Sequence, residues 1–343
     1  MNAELNARIA DHISVIIPVH NGGEDFRRCL DSLGQSTRLP DELIVVDDVS
    51  TDASALAAQH AHAQVLTLTG TPHGPAFARN VGASVAKGNL LVFIDADVVV
   101  HANTLSKIAE YFDQAPAIAA LFGSYDDTPA ATNWVSQYKN LQHHFVHQHS
   151  KREAATFWAG CGAIRSEIFV ALGGFSTQYT RPSIEDIELG VRLKQAGHTI
   201  WLCKDVLVTH LKHWTLPSLL RADIFGRAVP WTKLILSSGQ LPADLNLNAA
   251  NRISALTALA LMPLCVLGFW LPSAWLVALA ALGIIVVLNA NLYALFIRRG
   301  GILFAGAALG LHLLYFLYST VVFGTLSAFA FVGRVSRKLA HVT

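Results

Sequence analysis

Charge is scarce in this chain. Only 14% of its 343 residues are Asp, Glu, Lys or Arg, against about a quarter in an ordinary soluble domain. No acidic residue follows Asp244, and beyond it the only basic ones are Arg252, Arg298, Arg299, Arg334, Arg337 and Lys338. Setting those six aside, acidic residues outnumber basic ones in the first 250 positions, which argues against a nucleic-acid partner. Four cysteines (Cys29, Cys161, Cys203 and Cys265) form no C-x-x-C pair, so reduced thiols are expected rather than a zinc site or a disulfide framework. No G-x-G-x-x-G follows the first apolar strand and no G-x-x-x-x-G-K-[ST] occurs. That excludes a P-loop and makes a dinucleotide cofactor an unlikely fit. No signal peptide is expected, because Glu4, Arg8 and Asp11 interrupt any early apolar run.

What is abundant is hydrophobic sequence, 52% of the chain. Two stretches without charge span 253–297 and 302–333. A helix needs about 20 apolar residues to cross a bilayer. The first stretch is long enough for two crossings with a break near 271–273, and the second for one tilted crossing. Helices are therefore expected at about 253–271, 273–297 and 302–331, followed by a short basic tail. Upstream, an interfacial segment is expected over 215–250. There Leu219, Leu220, Ile224, Phe225, Trp231 and Leu234 alternate with Arg221, Arg227 and Lys233, and Pro230 should break the helix. Arg298-Arg299 should face the cytosol by the positive-inside rule, giving a multi-pass inner-membrane protein with a cytosolic N-terminal domain. A third full crossing would put the basic tail outside, so the last stretch either re-enters or departs from the rule.

Residues 1–214 read as an α/β domain. Ile13–Val19, Leu43–Val46, Val65–Leu68 and Leu90–Ile94 are apolar runs of strand length, separated by helical segments of which Glu24 to about Gln35 is the clearest. Strand–helix alternation implies a mainly parallel sheet with helices on both faces, and ligands then sit at the carboxyl ends of strands. Pro18-Val19-His20-Asn21, Asp47-Asp48 and Asp95-Ala96-Asp97 all fall at such ends. Side chains alternate along a strand, so Asp95 and Asp97 leave on the same side and repel unless a hard cation such as Mg²⁺ or Mn²⁺ lies between them. Ser183 and Asp186 have capping-box spacing before a helix. The glycines flanking Cys161 suit either a tight turn or the close approach of backbone to a ligand. His143, His144, His147 and His149 read mainly as a solvated polar face, since no acid or cysteine completes a ligand set.

Ser14–Val19 with His20-Asn21, Ile44–Asp48, Ala78-Arg79-Asn80-Val81-Gly82, Asp95-Ala96-Asp97, Gly173-Gly174-Phe175 and Glu185-Asp186 together resemble family 2 glycosyltransferases of the GT-A fold. The resemblance covers residues 13 to about 214. It implies a Rossmann-like mixed, mainly parallel sheet and inverting sugar transfer from a nucleotide-sugar donor, usually UDP-linked. It places Pro18, His20 and Asn21 at the base and ribose, Asp47 and Asp48 at the base, and Arg79 and Asn80 under the diphosphate. Asp95 falls at the ribose, Asp97 (with Asp95, and His210 as a further candidate) at the metal, and Asp186 at the general-base position. Gly160, Cys161, Gly162, Glu185 and Trp214 fall on the acceptor side. Three departures stand out. Val49 replaces the glycine of D-D-G-S, so that turn should differ or be strained. Glu188 stands where many members have Asp. The Q-x-x-R-W of processive synthases is absent, His210–Trp214 being the nearest sequence, which favours adding one sugar at a time. With the membrane segment, the expected acceptor is a lipid or lipid-linked molecule. A processive synthase and a non-catalytic nucleotide-sugar-binding subunit are the alternatives.

Overall fold

The computed structural model describes residues 12–239 and 248–340, without side chains for 333–340. Glu4, Arg8 and Asp11, and the end of the interfacial segment at 240–247, lie outside the described residues. The chain divides into two compact units, Met1–Ala130 with Ser150–Lys212, and Ala131–His149 with His213–Thr343. The sequence boundary at 214 falls close to this division. Residues 131–149, however, fold with the second unit and not with the first.

In the first unit, β1 (Ile13–Val19) pairs in parallel with β2 (Glu42–Asp47) and with β4 (Leu90–Ile94), and β2 pairs in parallel with β3 (Gln64–Thr67). The intervening helices are α1 (Gly23–Gly34), α2 (Ser54–His60) and α3 (Pro75–Val85). Alternate β1 residues feed two cores. Val15 and Ile17 join one together with Phe26, Cys29, Leu30 and Leu33 of α1, and Ile16 joins the other. This is the period-2 pattern of a strand covered on both faces. Gly82 lets α3 lie close on the sheet, since a Cβ there would fall 2.6 Å from Ile16 Cγ2.

The second half of this unit adds β5 (Val98–Val100), α4 (Thr104–Gln114) and β6 (Ala120–Tyr125). After Ser150 come β7 (Cys161–Arg165), α6 (Ser166–Ala171), α7 (Glu185–Gln195) and β8 (Ile200–His210). The eight-stranded order is β3-β2-β1-β4-β7-β6-β8-β5. The sheet is mixed: β7 is antiparallel to both β4 and β6, and β5 is antiparallel to β8. The expected parallel character therefore holds only for the β1–β4 half and the β6–β8 pair. The switch in strand order lies between β1 and β4, so their carboxyl ends, Val19-His20 and Ile94-Asp95, border the crevice where ligands bind in such sheets.

The second unit contains α5 (Trp134–His149), α8 (Leu216–Arg221), a π-helical run Ala222–Ala228, α9 (Val229–Ser238), α10 (Ala249–Leu267), α11 (Ser273–Leu288) and α12 (Ala290–Ala340). Helix α12 is interrupted at Gly301, whose φ of 77° and ψ of 178° are non-helical. Tyr138 and Leu141 of α5 pack with Leu292, Phe296 and Phe304 of α12. The break expected at Pro230 takes another form. The π-helical turn precedes it and leaves Pro230 in the first turn of α9, where a missing N–H is harmless. Asp223 within the π turn is buried. It accepts Lys139 Nζ at 2.8 Å, Arg227 at 2.8 Å and the Tyr318 hydroxyl at 2.7 Å. His147 is buried against His143, while His149 is exposed and His143 and His144 are half-buried, so only part of the histidine run departs from the solvated face expected from sequence.

Candidate functional site

Asp95-Ala96-Asp97 is a turn between β4 and β5, not an extension of β4. Strand alternation therefore does not govern its side chains, and the two carboxylates take different partners. Asp95 Oδ1 accepts from Arg79 Nη2 at 2.6 Å. Asp97 Oδ2 lies 3.6 Å from His210 Nε2 and 3.6 Å from Lys212 Nζ. Burial alone would raise the Asp97 carboxyl. The hydrogen bond and charge of His210, with Lys212, outweigh it and hold the group well below the ordinary carboxylate range. His210 ends β8 and is fixed by stacking on Tyr125, with centroids 4.4 Å apart and planes 14° apart. Lys212, two residues beyond the end of β8, was missed in the sequence.

Arg79 is buried, and its recorded contacts are with protein groups. Nη1 donates to Glu185 Oε1 at 2.9 Å while Nη2 holds Asp95, and the guanidinium sits 5.4 Å from the Phe175 ring centroid. Asn80, expected with it under the diphosphate, clamps Phe175. Its Nδ2 donates to Phe175 O at 2.8 Å and its Oδ1 accepts Phe175 N–H at 2.9 Å. Gly173 and Gly174 adopt φ of 76° and 70°, and a Cβ on Gly174 would fall 2.6 Å from Asn80 Oδ1. Arg192 of α7, also missed, ties this loop to the helix. It donates to Leu172 O and Gly174 O at 2.6 Å and forks onto Glu188 at 2.8 Å. Glu188 is thus paired within its own helix.

At the start of α7, Ser183 is not the cap; the N-cap position falls on Ile184, without a side-chain cap bond. Asp186 therefore does not form a capping box. Its Oδ2 accepts the Ala159 N–H at 3.1 Å and its Oδ1 the Ile187 N–H at 2.8 Å. Burial pushes its carboxyl up to about 7, and Glu185's charge adds to this. The two backbone N–H groups and Arg79 pull the other way.

The acceptor-side residues read from sequence are mostly structural. A Cβ on Gly160 would lie 2.5 Å from the Trp158 ring, and one on Gly162 2.3 Å from Trp158 O, so protein fills the space beside both glycines. Cys161 is core, opposite Ile94 in the β4–β7 ladder. Glu185 is buried on Arg79, with Oε2 accepting Ser183 N–H at 3.0 Å. Trp214 belongs to the second unit, with its backbone held by Ser136 Oγ and Asn133 Nδ2 at 2.7 Å each.

At the β1 and β2 ends, Pro18 lies within β1 opposite Val46, beyond the last β4 pairing at Ile16. Its missing N–H therefore falls where no β4 partner is recorded. Asn21 (φ 52°) joins two loops, its Oδ1 accepting Thr51 N–H at 2.7 Å. Asp47 Oδ1 accepts Ser50 N–H at 3.1 Å, closing the turn in which Val49 is forced to φ 62°. Asp48 is buried and accepts the backbone N–H of His73 and of Gly74 at 2.9 and 2.8 Å. His20 Nδ1 contacts Asp48 O at 2.7 Å.

Residues 14–173 match the model of glycosyl transferase family 2, and residues 139–214 match that of the N-terminal domain of galactosyltransferase. An uncharacterized glycosyltransferase of Haemophilus influenzae is 28% identical over 189 residues, 53% of this chain and 62% of that protein. The chain thus spans less than two thirds of that relative's length. The O-antigen chain rhamnosyltransferase RfbN of Salmonella typhimurium is 24% identical over 233 residues, 64% of this chain and 74% of that protein. Among solved structures, the mannosyltransferase PcManGT from Pyrobaculum calidifontis, in complex with GDP-Man and Mn²⁺, superposes with a TM-score of 0.57 at 18% identity. It covers 92% of this chain and 88% of that one. Residues 14–173, a little under half of the chain, are thus similar to glycosyl transferase family 2, and the α/β fold is GT-A-like.

Proposed function

We propose that this chain is a membrane-anchored, inverting glycosyltransferase. It moves a sugar from a nucleotide-sugar, UDP-linked on the sequence reading, to a lipid or lipid-linked acceptor at the cytosolic face of the inner membrane. The observation that carries this is Asp186: a carboxyl raised to about 7, aimed by two backbone N–H groups, and joined through Glu185 and Arg79 to Asp95. A sugar hydroxyl is a poor nucleophile. Asp186 takes its proton as the oxygen bonds to the anomeric carbon, and a base with a pKa near the working pH suits that task. Attack opposite the departing diphosphate inverts the anomeric centre.

Asp97 and His210 fit a divalent cation by donor type, a hard carboxylate oxygen beside an imidazole nitrogen. Among the described residues no three His, Cys, Asp or Glu side chains gather into a ligand set, so substrate and water oxygens would supply the remaining ligands. Bound there, Mg²⁺ or Mn²⁺ supplies positive charge against the leaving diphosphate.

Anchoring is supported by Ala249–Leu267 and Ala290–Val332, with mean hydropathy 1.6 and 1.8, both long and apolar enough to cross a membrane. Helix α11 is apolar but shorter. Large side chains such as Phe269, Trp270 and Leu303 are more than 75% exposed, which suits a lipid surface better than water. A membrane-tethered enzyme meets a membrane-borne acceptor at high effective concentration.

Two measurements test the proposal. In detergent, one nucleotide-sugar of a panel should raise Tm in the presence of Mn²⁺. Asp186→Asn should keep that shift while transfer falls by about 10²–10⁴-fold. Unchanged transfer by Asp186→Asn would reject the base assignment.

A further inference from the structure

How the donor's base is told apart is not answered by the acidic pair after β2. Asp47 closes its own turn through Ser50. Asp48 is buried, and both its oxygens are taken up by the 73–74 loop: Oδ1 by His73 N at 2.9 Å and His73 Nδ1 at 3.2 Å, Oδ2 by His73 N at 3.0 Å and Gly74 N at 2.8 Å. The residue that this carboxylate presents is His73.

Resting on the nucleotide-sugar reading of the cleft, we infer that His73 is the base-recognising residue. It accepts a hydrogen bond at Nε2 from a ring N–H of the nucleobase, with Asp48 as its anchor. A carboxylate only accepts, so Nδ1 carries the proton, and in that neutral tautomer Nε2 is the nitrogen that offers a lone pair. Among the described residues His73 Nε2 has no hydrogen-bond partner, and the side chain is 34% exposed. The ring is held in plane by stacking on Phe77, 4.7 Å between centroids and 19° between planes. The loop is pinned behind it, because a Cβ on Gly74 (φ 91°) would fall 2.6 Å from Thr180 C and O. Among the described residues, the only other imidazole with a recorded contact to residue 48 is His20. By the same reasoning its Nδ1 donates to Asp48 O, but its Nε2 already lies 3.2 Å from Asn21 Nδ2. With Asp47 and Asp48 both buried, His73 Nε2 is a partly exposed acceptor available to a ligand at the carboxyl end of β2.

An acceptor at this point selects bases that carry a ring N–H, namely uracil and thymine at N3 and guanine at N1. Adenine and cytosine offer a bare ring nitrogen there, and lone pair would face lone pair. The donor class is thus a uridine, thymidine or guanosine diphosphate sugar, recognised through one shared group.

The test is calorimetric binding of UMP, GMP, CMP and AMP to the full chain in detergent, with N3-methyl-UMP and N1-methyl-GMP as probes lacking the N–H. UMP or GMP should bind about tenfold tighter than CMP and AMP, the scale of one well-made hydrogen bond, and N-methylation should abolish that advantage. Which of UMP and GMP binds tighter names the nucleotide. In His73→Ala, and in His73→Phe, which keeps a ring on Phe77, the advantage and the methylation effect should both vanish while AMP binding and Tm hold. Wild-type discrimination that survives in both variants would overturn the role of His73 and leave the nucleotide reading intact. Equal binding of UMP and N3-methyl-UMP, and of GMP and N1-methyl-GMP, by the wild type would also overturn it, without reference to any variant. If no nucleotide binds the wild type, both readings fall.

Discussion

Asp95-Ala96-Asp97 and Glu185-Asp186 are both acidic pairs within reach of Arg79, and the guanidinium takes the first member of each, Asp95 at 2.6 Å and Glu185 at 2.9 Å. The second members are left to opposite surroundings. Asp97 lies beside His210 and Lys212 and stays ionised well below the ordinary range. Among the described residues Asp186 has backbone N–H groups as its hydrogen-bond partners, and burial with Glu185's charge lifts it to about 7. Two identical side chains thus receive different chemistry from their neighbours. One is suited to holding positive charge, the other to picking up a proton near neutrality.

Removing the shared cation breaks the comparison most severely. Arg79→Met leaves Glu185 buried and unpaired and Asp95 without its partner, a loss of about 3–5 kcal/mol by the usual penalty for an orphaned buried charge. Thermal unfolding in detergent should show a large fall in Tm. The Asp186 carboxyl should rise further, because Arg79 lowers it, so transfer should need a higher pH. Arg79→Lys should not rescue, since one ammonium cannot reach both carboxylates as the guanidinium fork does.

The next contrast separates the members of the first pair. Asp97→Asn should weaken the Mn²⁺-dependent part of donor binding by about 10–100-fold, the scale seen when groups supporting a metal are lost. Metal-free nucleotide binding should be unchanged. Asp95→Asn should leave the Mn²⁺ dependence largely in place and lower Tm through Arg79. Equal loss of Mn²⁺ dependence in both variants, measured by titration calorimetry, would show that the carboxylates share one cation after all.

The smallest effect concerns Val49, held at φ 62° beside Asp48. A left-handed conformation costs an L-residue roughly 1–2 kcal/mol, and glycine gives back part of that through its greater freedom when unfolded. Val49→Gly should therefore raise stability by about 0.5–1 kcal/mol, read as a small rise in Tm with transfer unchanged. A fall in Tm would mean that the valine side chain contributes more by packing than its backbone costs.

These contrasts also mark what the sequence could reveal. The ends of β1 and β2 were legible because short apolar runs stop abruptly at polar residues. Asp186 was singled out by the family resemblance, while its place opening a helix pointed to a capping box that the structure does not form. The separation of Asp95 from Asp97 was not legible, because the apolar run hides that β4 ends at Ile94 and a turn begins. Nor was the role of Arg79, which reaches Glu185 across 106 positions of sequence. Long-range pairing of this kind leaves no local pattern. The antiparallel β7 was missed for a similar reason. Cys161–Arg165 is a five-residue strand with a glycine, and only its neighbours β4 and β6 give it direction. The strain at Val49 was visible in advance, since a β-branched residue stands where the turn calls for glycine.

The central claim is that Asp186 accepts the acceptor's proton from a site that lifts its pKa. The most direct measurement is the pH dependence of transfer at saturating donor and acceptor, between pH 5 and 9. A base must be ionised to act, so the rate should climb about tenfold per unit at low pH and level off above an apparent pKa near 7. The limb should shift upward if Arg79 is replaced. A profile flat down to pH 5 in the wild type would contradict the account.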